Sequence, residues 1–467
     1  MSIGPDGCRE FRASRRVVSR RALLQAGTMG LLGLSWPRLL AAQSQPAAGL
    51  PPGAGKAKRC IFLFMWGGPS QLDTFDLKPH APAEVRGDFK PISTSVPGLQ
   101  ICEHFQRLAP HMNKVALVRS LGHSDPAHLS SGHATLTGHL APQLNSDAAP
   151  PSDRDTPVIG ATLARVRQSP GVLPQAVTMP WLAYHPAAPG GQAPGQHGGW
   201  LGHSYDPMLL TGDPAQPEWN VDELNLAQGV TSARLDQRQQ LLQAVDATRA
   251  ELHAAGGAAD LEQWQSRALS MLTSPEARAA FDLGQESPAD RDRYGRNTHG
   301  QCVLLARRLV EHGVSLVCVN WHNDGRSFWD THGDNFNRLK NDLIPPADQA
   351  LAALLEDLEA RGMLDDTLVA WVGEFGRRPQ ITQANAGREH WPFCYSGLLA
   401  GGGIRGGAVY GASDSQATRP SQDPVTPRDF AATMFAALGV SPGLKLNDRL
   451  GRPMAICDGQ PIAPLFG

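Results

Sequence analysis

The 467-residue sequence predicts an α/β fold with a central, mostly parallel sheet and helices on both faces. Three observations carry this expectation. SLVCVNW (315–321) and TLVAWVG (367–373) are short apolar runs that each stop at a polar loop. Each follows a helical pattern and a Gly turn, HGQCVLLARRLVEHG before the first and PPADQALAALLEDLEARG before the second. A third run, KRCIFLFMWGG (58–68), is apolar almost throughout and closes on a Gly pair. Apolar runs without polar alternation, set between amphipathic helices, are strands covered on both faces, and such strands belong to parallel sheets.

The chain is expected to open on an export signal. SRRVVSRRALLQAG carries Arg15-Arg16 and Arg20-Arg21, an apolar stretch follows, and small residues close it at Ala41-Ala42. Ser19-Arg20-Arg21-Ala22-Leu23-Leu24 fits a twin-arginine signal. The apolar stretch is shorter than the ~20 residues of a membrane span and is broken by Pro37 and Arg38. Residues 1–42 are therefore expected to be a signal peptide, 43–57 a linker and 58–467 one domain, delivered to the periplasm or secreted. The mature chain is expected to have no integral membrane segment.

The remaining elements follow in order. FQRLAPHMNKVALVRSL (105–121) reads as a short helix, then a strand. Residues 141–216 are rich in Pro and Gly with little periodicity, so an irregular insertion or lid is expected there. Residues 231–284 show helical spacing, with Ser274-Pro275 as cap and first-turn residue. TPRDFAATMFAALGV (426–440) is a capped late helix.

Composition narrows the function classes. The chain is 41% apolar and 18% charged, enough for a large core. A net charge of -2 gives no basic field for nucleic acid or an acidic membrane surface. Of the seven cysteines, Cys8 lies in the signal and the others form no CxxC or other metal-ligand spacing. Cys60 and Cys318 fall within apolar runs and are expected to be buried.

Five clusters carry candidate chemistry. GGPSQLDTFDLKP (67–79) crowds Ser70, Gln71, Asp73, Asp76 and Lys78 just past the first strand, where open parallel sheets place ligands. HSDPAHLSSGHATLTGH is read as a histidine-rich loop, with His123, His128, His133 and His139 beside Asp125, Ser130 and Ser131. Neutral imidazole binds zinc, copper, iron and nickel. In WDTH, Asp330 and His332 are two apart and reach one ion from a single loop, with His322 and Asp324 as alternates. Glu374 ends a buried strand in GEFGRRP, where a charge is costly unless bound or paired. Arg377 and Arg378 follow it, suited to a phosphate- or sulfate-like group. In GREHWP, His390 is the strongest ligand candidate.

These motifs together resemble a bacterial exported family called domain of unknown function 1501. The resemblance rests on GGPSQLDTFDLKP, YGRNTHGQCVLLARRLVEHGV, WDTHGDNF, LDDTLVAWVGEFGRRP, GREHWP and LAGGGIRGG, and spans about 58–467. That family is similar to the alkaline phosphatase and sulfatase superfamily. HFQRLAPHMNKVALVRSL with HATLTG resembles the sulfatase stretch around the nucleophile. LLEDLEARGMLDDTLVAWVGEFG resembles the helix and strand ending in the superfamily's Asp-His metal pair, and TPRDFAATMFAALGV resembles its late helix.

The resemblance implies an alkaline-phosphatase-like fold and a set of site residues. The first metal carboxylate falls on Asp73, or Asp76, and the later Asp-His pair on Asp330 and His332. The strand-end Asp-His becomes Glu374-Phe375, one imidazole short, and the final histidine falls on His390. The nucleophile position falls on His128, with Ser130 close by; His128 is then a nucleophile, a ligand or a sign of lost catalysis. The expected metal set is thus Asp73, Asp330, His332, Glu374 and His390, around one or two divalent ions, zinc or calcium. Lys78, Arg377 and Arg378 are expected to hold the substrate anion. The expected activity is hydrolysis of a phosphate or sulfate ester, of a small molecule or a glycan. A non-catalytic exported binding protein that keeps the fold is the rival.

Overall fold

The computed structural model describes residues 49–167, 171–221, 269–321 and 328–467, with Arg234 and Gln237 as isolated positions. The expected signal peptide, most of the helical stretch 231–284, and the alternates His322 and Asp324 lie outside the described residues.

One eight-stranded sheet organises the chain. In sequence order its strands are Arg59–Phe64 (β1), Val115–Leu121 (β2), Ala176–Met179 (β3), Met208–Leu209 (β4), Leu316–Asn320 (β5), Thr367–Val372 (β6), Tyr395–Ala400 (β7) and Val409–Tyr410 (β8). Their spatial order is β8-β2-β7-β6-β1-β5-β3-β4. β1 sits between β5 and β6 and is parallel to both, and β3 continues the parallel array from β5 to β4. β7 alone runs against its neighbours β6 and β2. The fold is therefore α/β with a mostly parallel sheet, as the uniform apolarity of its central strands requires. Every residue of β5 and β6 is buried.

Helices deliver these strands. Among the described residues, and counting from the first one past β2, the α-helices of seven residues or more are His128–Thr137 (α1), Ile159–Val166 (α2), Pro275–Phe281 (α3), Pro288–Tyr294 (α4), Thr298–Glu311 (α5), Ile344–Ala360 (α6) and Pro427–Ala437 (α7). Ser274 caps α3 by accepting from Ala277 N, and Thr426 with Asp429 closes a capping box on α7. α5 and α6 pack on one another, and α5 covers β1 and β5. No helix among the described residues is long and apolar enough to cross a membrane.

Three regions differ from the sequence reading. The stretch 141–216, expected to be an irregular insertion, contributes α2 and the sheet strands β3 and β4. β3 is only four residues between Pro-bounded segments, too short to show a period, and its pairing with β5 decides its structure. The described part of the expected linker is docked: Gly55 N and Ala57 N donate to the carbonyls of Ala436 and Ala437, each at 2.9 Å. The histidine-rich segment is helical from His128 onward, not a loop. Ser, Gly and Thr are weak helix formers, but every residue of α1 is buried, so packing overrides local preference.

Within α1, His133 donates from Nδ1 to the His139 carbonyl at 3.1 Å and accepts at Nε2 from Thr156 N at 3.3 Å. Burial pushes its pKa down to about 4. The unfolded chain, with a histidine pKa near ~6.5, binds the proton first as pH falls. This contribution to stability is complete above about pH 6.5 and is lost as pH falls through about 4, on the order of 2 kcal/mol by pH 4.5. Chemical denaturation at pH 7 and pH 4.5 is expected to show that loss, and His133→Gln is expected to flatten it. Equal slopes in both proteins would remove His133 as the cause.

Candidate metal centre

The loops after β2, β6, β1 and β5 open on the carboxyl edge of the sheet, and the candidate residues come from them. Backbone contact there is close. Gly67, directly past β1, has φ +108°, and a Cβ on it would stand 2.4 Å from Asp330 N. Its N–H donates to Glu374 Oε1 at 2.9 Å. Trp329 packs edge-on against Trp321 and Trp371, 5.3 and 5.9 Å between ring centroids, and so seats Asp330 over the sheet. His390 sits on a short ribbon in which His390–Trp391 pairs antiparallel with Gly376–Arg377.

Three histidines converge on Asp330. His332 Nε2 lies 3.0 Å and His390 Nε2 3.2 Å from Asp330 Oδ1, and His128 Nε2 lies 3.5 Å from Oδ2. Ligand atoms of His128, Asp330 and His390 all fall within 4.8 Å of one another. His332 joins from the more exposed side, its Nε2 2.9 Å from that of His390. The far nitrogen of every ring faces an acceptor. His128 Nδ1 meets Glu374 Oε1 at 2.6 Å, His332 Nδ1 meets Glu389 Oε2 at 2.5 Å and His390 Nδ1 meets the Pro126 carbonyl at 2.8 Å. A carbonyl or a carboxylate cannot donate, so each Nδ1 carries a proton, and each ring turns its Nε2 toward the Asp330 carboxylate, where a second proton and a bound cation would compete for the same lone pair.

The electrostatics follow from that geometry. Burial disfavours a charge on His128, but its bonds to Asp330 and Glu374 overcome this and hold its pKa up to about 9. Burial likewise opposes ionisation of Asp330, yet the Arg377 guanidinium and the three histidines keep it far below the usual carboxylate range. His332 is raised by its bond to Asp330, whereas burial lowers His390.

The structure thus brings together four of the residues singled out in the sequence: His128, Asp330, His332 and His390. Glu374 stands one step back. It is fully buried and engaged by Gly67 N and His128 Nδ1, which satisfies its charge without direct access to an ion. Asp73 is elsewhere. It pairs two-pronged with Arg388, Nε to Oδ2 at 2.7 Å and Nη2 to Oδ1 at 3.1 Å, and also accepts from Ser70 and Asn335. Ser130 is two positions from His128 on a helix, hence on another face, and its hydroxyl accepts from Ser146 N at 3.2 Å.

The expected anion binders are not assembled either. Arg377 is buried, and its guanidinium is taken by Asp330 at 2.5 Å and by the carbonyls of Gly67, Gly68 and Arg388. It orients Asp330 and clamps the Gly67–Gly68 turn. Lys78 is paired with Asp76 at 2.9 Å, and the exposed Arg378 bonds Gln380. Two structural partners complete these groups: Glu389, one of the polar residues in the loops past the central strands to which the sequence points, and Arg388, which was not singled out in the sequence. The acid adjoining a candidate ligand in GREHWP is a usable signal for Glu389; nothing local marks Arg388 as the partner of Asp73.

A three-imidazole, one-carboxylate group at the strand ends of a parallel α/β sheet has the donor set of a metalloprotein. The chain belongs to the family described as "protein of unknown function (DUF1501)", whose model matches residues 57–466. No curated protein matches the sequence. Among solved structures, the chain is similar to a protein in the alkaline phosphatase superfamily from Vibrio parahaemolyticus, with 11% identity, 84% of this chain and 71% of that one covered, and a TM-score of 0.38. It is similar also to the phosphonate monoester hydrolase from Silicibacter pomeroyi, with 10% identity, 88% and 76% covered, and a TM-score of 0.37. A sulfatase from Pseudoalteromonas sp. is matched at 14% identity, over 86% of this chain and 70% of that one, with a TM-score of 0.34.

Proposed function

We propose that this protein is an exported, metal-dependent hydrolase of phosphate or sulfate esters, with His128, Asp330, His332 and His390 holding one divalent ion. One observation carries the reading. Two Nε2 atoms, of His332 and His390, face each other at 2.9 Å beside Asp330, while acceptors hold both Nδ1 protons. At that distance the two Nε2 atoms either share a proton or turn together to one cation beside them, and the Asp330 carboxylate favours the positive charge in either case. Three imidazoles and one carboxylate suit zinc, whereas calcium takes 6–8 oxygen ligands, so zinc is the favoured of the two candidates. A bound ion of this kind supplies Lewis acidity and lowers the pKa of water.

The chain's own residues have separable tasks. Glu374 fixes the ring of His128, Glu389 that of His332, and the Pro126 carbonyl that of His390. Arg377 occupies Asp330 Oδ1 and leaves Oδ2 toward His128. With Nδ1 held by Glu374 and Nε2 grouped with ligand atoms of Asp330 and His390, His128 is assigned as a ligand rather than a nucleophile. The twin-arginine signal in residues 1–42 supports export, and small-molecule and glycan esters are both candidate substrates.

The test is metal content and turnover of the purified mature protein on aryl phosphate and aryl sulfate. About one zinc per chain is expected, with turnover abolished by a chelator and restored by zinc. His390→Ala is expected to lose both. Bound zinc with no turnover of either ester would favour the non-catalytic binding protein, a reading supported by the full engagement of Arg377. Turnover indifferent to chelation would refute the metal mechanism.

A further inference from the structure

The face of α1 opposite His128 borders a cavity that the proposed hydrolysis does not use. It has a volume of about 220 Å³ and lies between α1, the loop after β2, the loop past α1 and the start of α7. Its walls are of two kinds. Leu140 and Leu144 stand at it 47% exposed each, among the few large apolar side chains left open to solvent. Ser130, His123, Asn145 and Arg428 supply the polar side.

The polar groups are unevenly satisfied. Asp125, also at the cavity, keeps its charge but has both oxygens taken: its carboxylate accepts from Ala127 N at 3.0 Å and Asn145 N at 3.1 Å. His123 is held between Glu374 O and Asp125 N, and burial lowers its pKa, so it adds no positive charge at neutral pH. Ser130 is 2% exposed; its oxygen accepts from Ser146 N, and its own hydrogen has no acceptor among the described residues. The half-buried Arg428 guanidinium has neither an ion pair nor a hydrogen bond among the described residues, although its backbone carbonyl is bonded by Cys457. A buried donor without an acceptor and a guanidinium without a direct ion pair, both on a small cavity with an apolar wall, define a complementary ligand. It carries one negative charge on a planar, fork-accepting group, and a compact apolar body.

We propose that this cavity binds a small monocarboxylate with a short apolar tail, its carboxylate on Arg428 and Ser130 and its tail against Leu140 and Leu144. The site is independent of the metal centre, so it stands or falls separately from the hydrolase reading. α1 nevertheless joins the two, with His128 on one side and Ser130 on the other.

Isothermal titration of the purified mature protein tests this, with hexanoate as the probe and hexanol and hexyl sulfate as comparisons. Saturable binding of hexanoate is expected, with hexanol at least ten-fold weaker. Arg428→Gln is expected to weaken hexanoate ten-fold or more. Leu144→Trp, at an exposed position, is expected to block the cavity while the metal content of both variants stays that of the wild type. Hexanoate binding that survives both substitutions would place the carboxylate on the metal instead and overturn the proposal. Failure of hexanoate to bind in the millimolar range would also overturn it, and tighter binding of hexyl sulfate than of hexanoate would reject the carboxylate in favour of a tetrahedral anion.

Discussion

Asp330→Ala is expected to empty the metal centre and to lower the free energy of unfolding by about 3–5 kcal/mol. Both effects have one cause. Asp330 is the anion on which three histidines and Arg377 converge. The Arg377 side chain is wholly buried, and without Asp330 its remaining partners are neutral carbonyls. A buried charge stripped of its partner is among the few single changes with so large a penalty. Asp330→Asn separates the two effects, because it keeps the shape and one acceptor but removes the charged ligand. It is expected to retain more stability than the Ala variant and still to lose the ion. Elemental analysis and chemical denaturation read the two quantities independently; full metal content in the Asn variant would show that the ion sits elsewhere.

Asp73→Ala is expected to lower stability by a similar amount, about 3–5 kcal/mol, with metal content unchanged. The Asp73–Arg388 pair is buried on both sides and binds two loops together. Arg388 also reaches the carbonyls of Val85, Arg378 and Pro379, so loss of its carboxylate leaves a fixed guanidinium among neutral acceptors. Replacing both partners removes the stranded charge, and Asp73→Leu with Arg388→Met is expected to recover much of the loss. This comparison also decides the role of Asp73. A variant that stayed stable but lost the ion would make it a ligand after all.

Much of this arrangement was legible in the sequence. The runs RCIFLF, LVCVN and TLVAWV carry so little polar character that burial on both faces was the only stable outcome, and all three are central strands. Asp330, His332 and Glu374 fall just past such runs, hence at the ligand-binding edge of the sheet. Other features left no local trace. β3 is four residues long and exists through its register with β5. α1 is built of weak helix formers and held by burial along its whole length.

The partners of the buried charges show the same division. Glu374 had to be paired, since no isolated carboxylate survives at 0% exposure. That its partner is His128, 246 positions away, depends on where α1 lies. Asp73 and Asp330 both follow apolar runs in similar polar loops, yet one meets Arg388 and the other three histidines.

Sequence alone therefore determined the fold class, the central strands, the edge at which chemistry belongs and most of the candidate ligand types. These are properties of nearest neighbours and of short-range hydrophobic pattern. Tertiary structure decided which carboxylate faces the histidines, which arginine is locked away as a clamp, and which side of α1 carries His128 and which Ser130. Most of those are contacts between separate segments, tens to hundreds of residues apart, and their energies depend on desolvation and geometry at the meeting point rather than on either segment by itself.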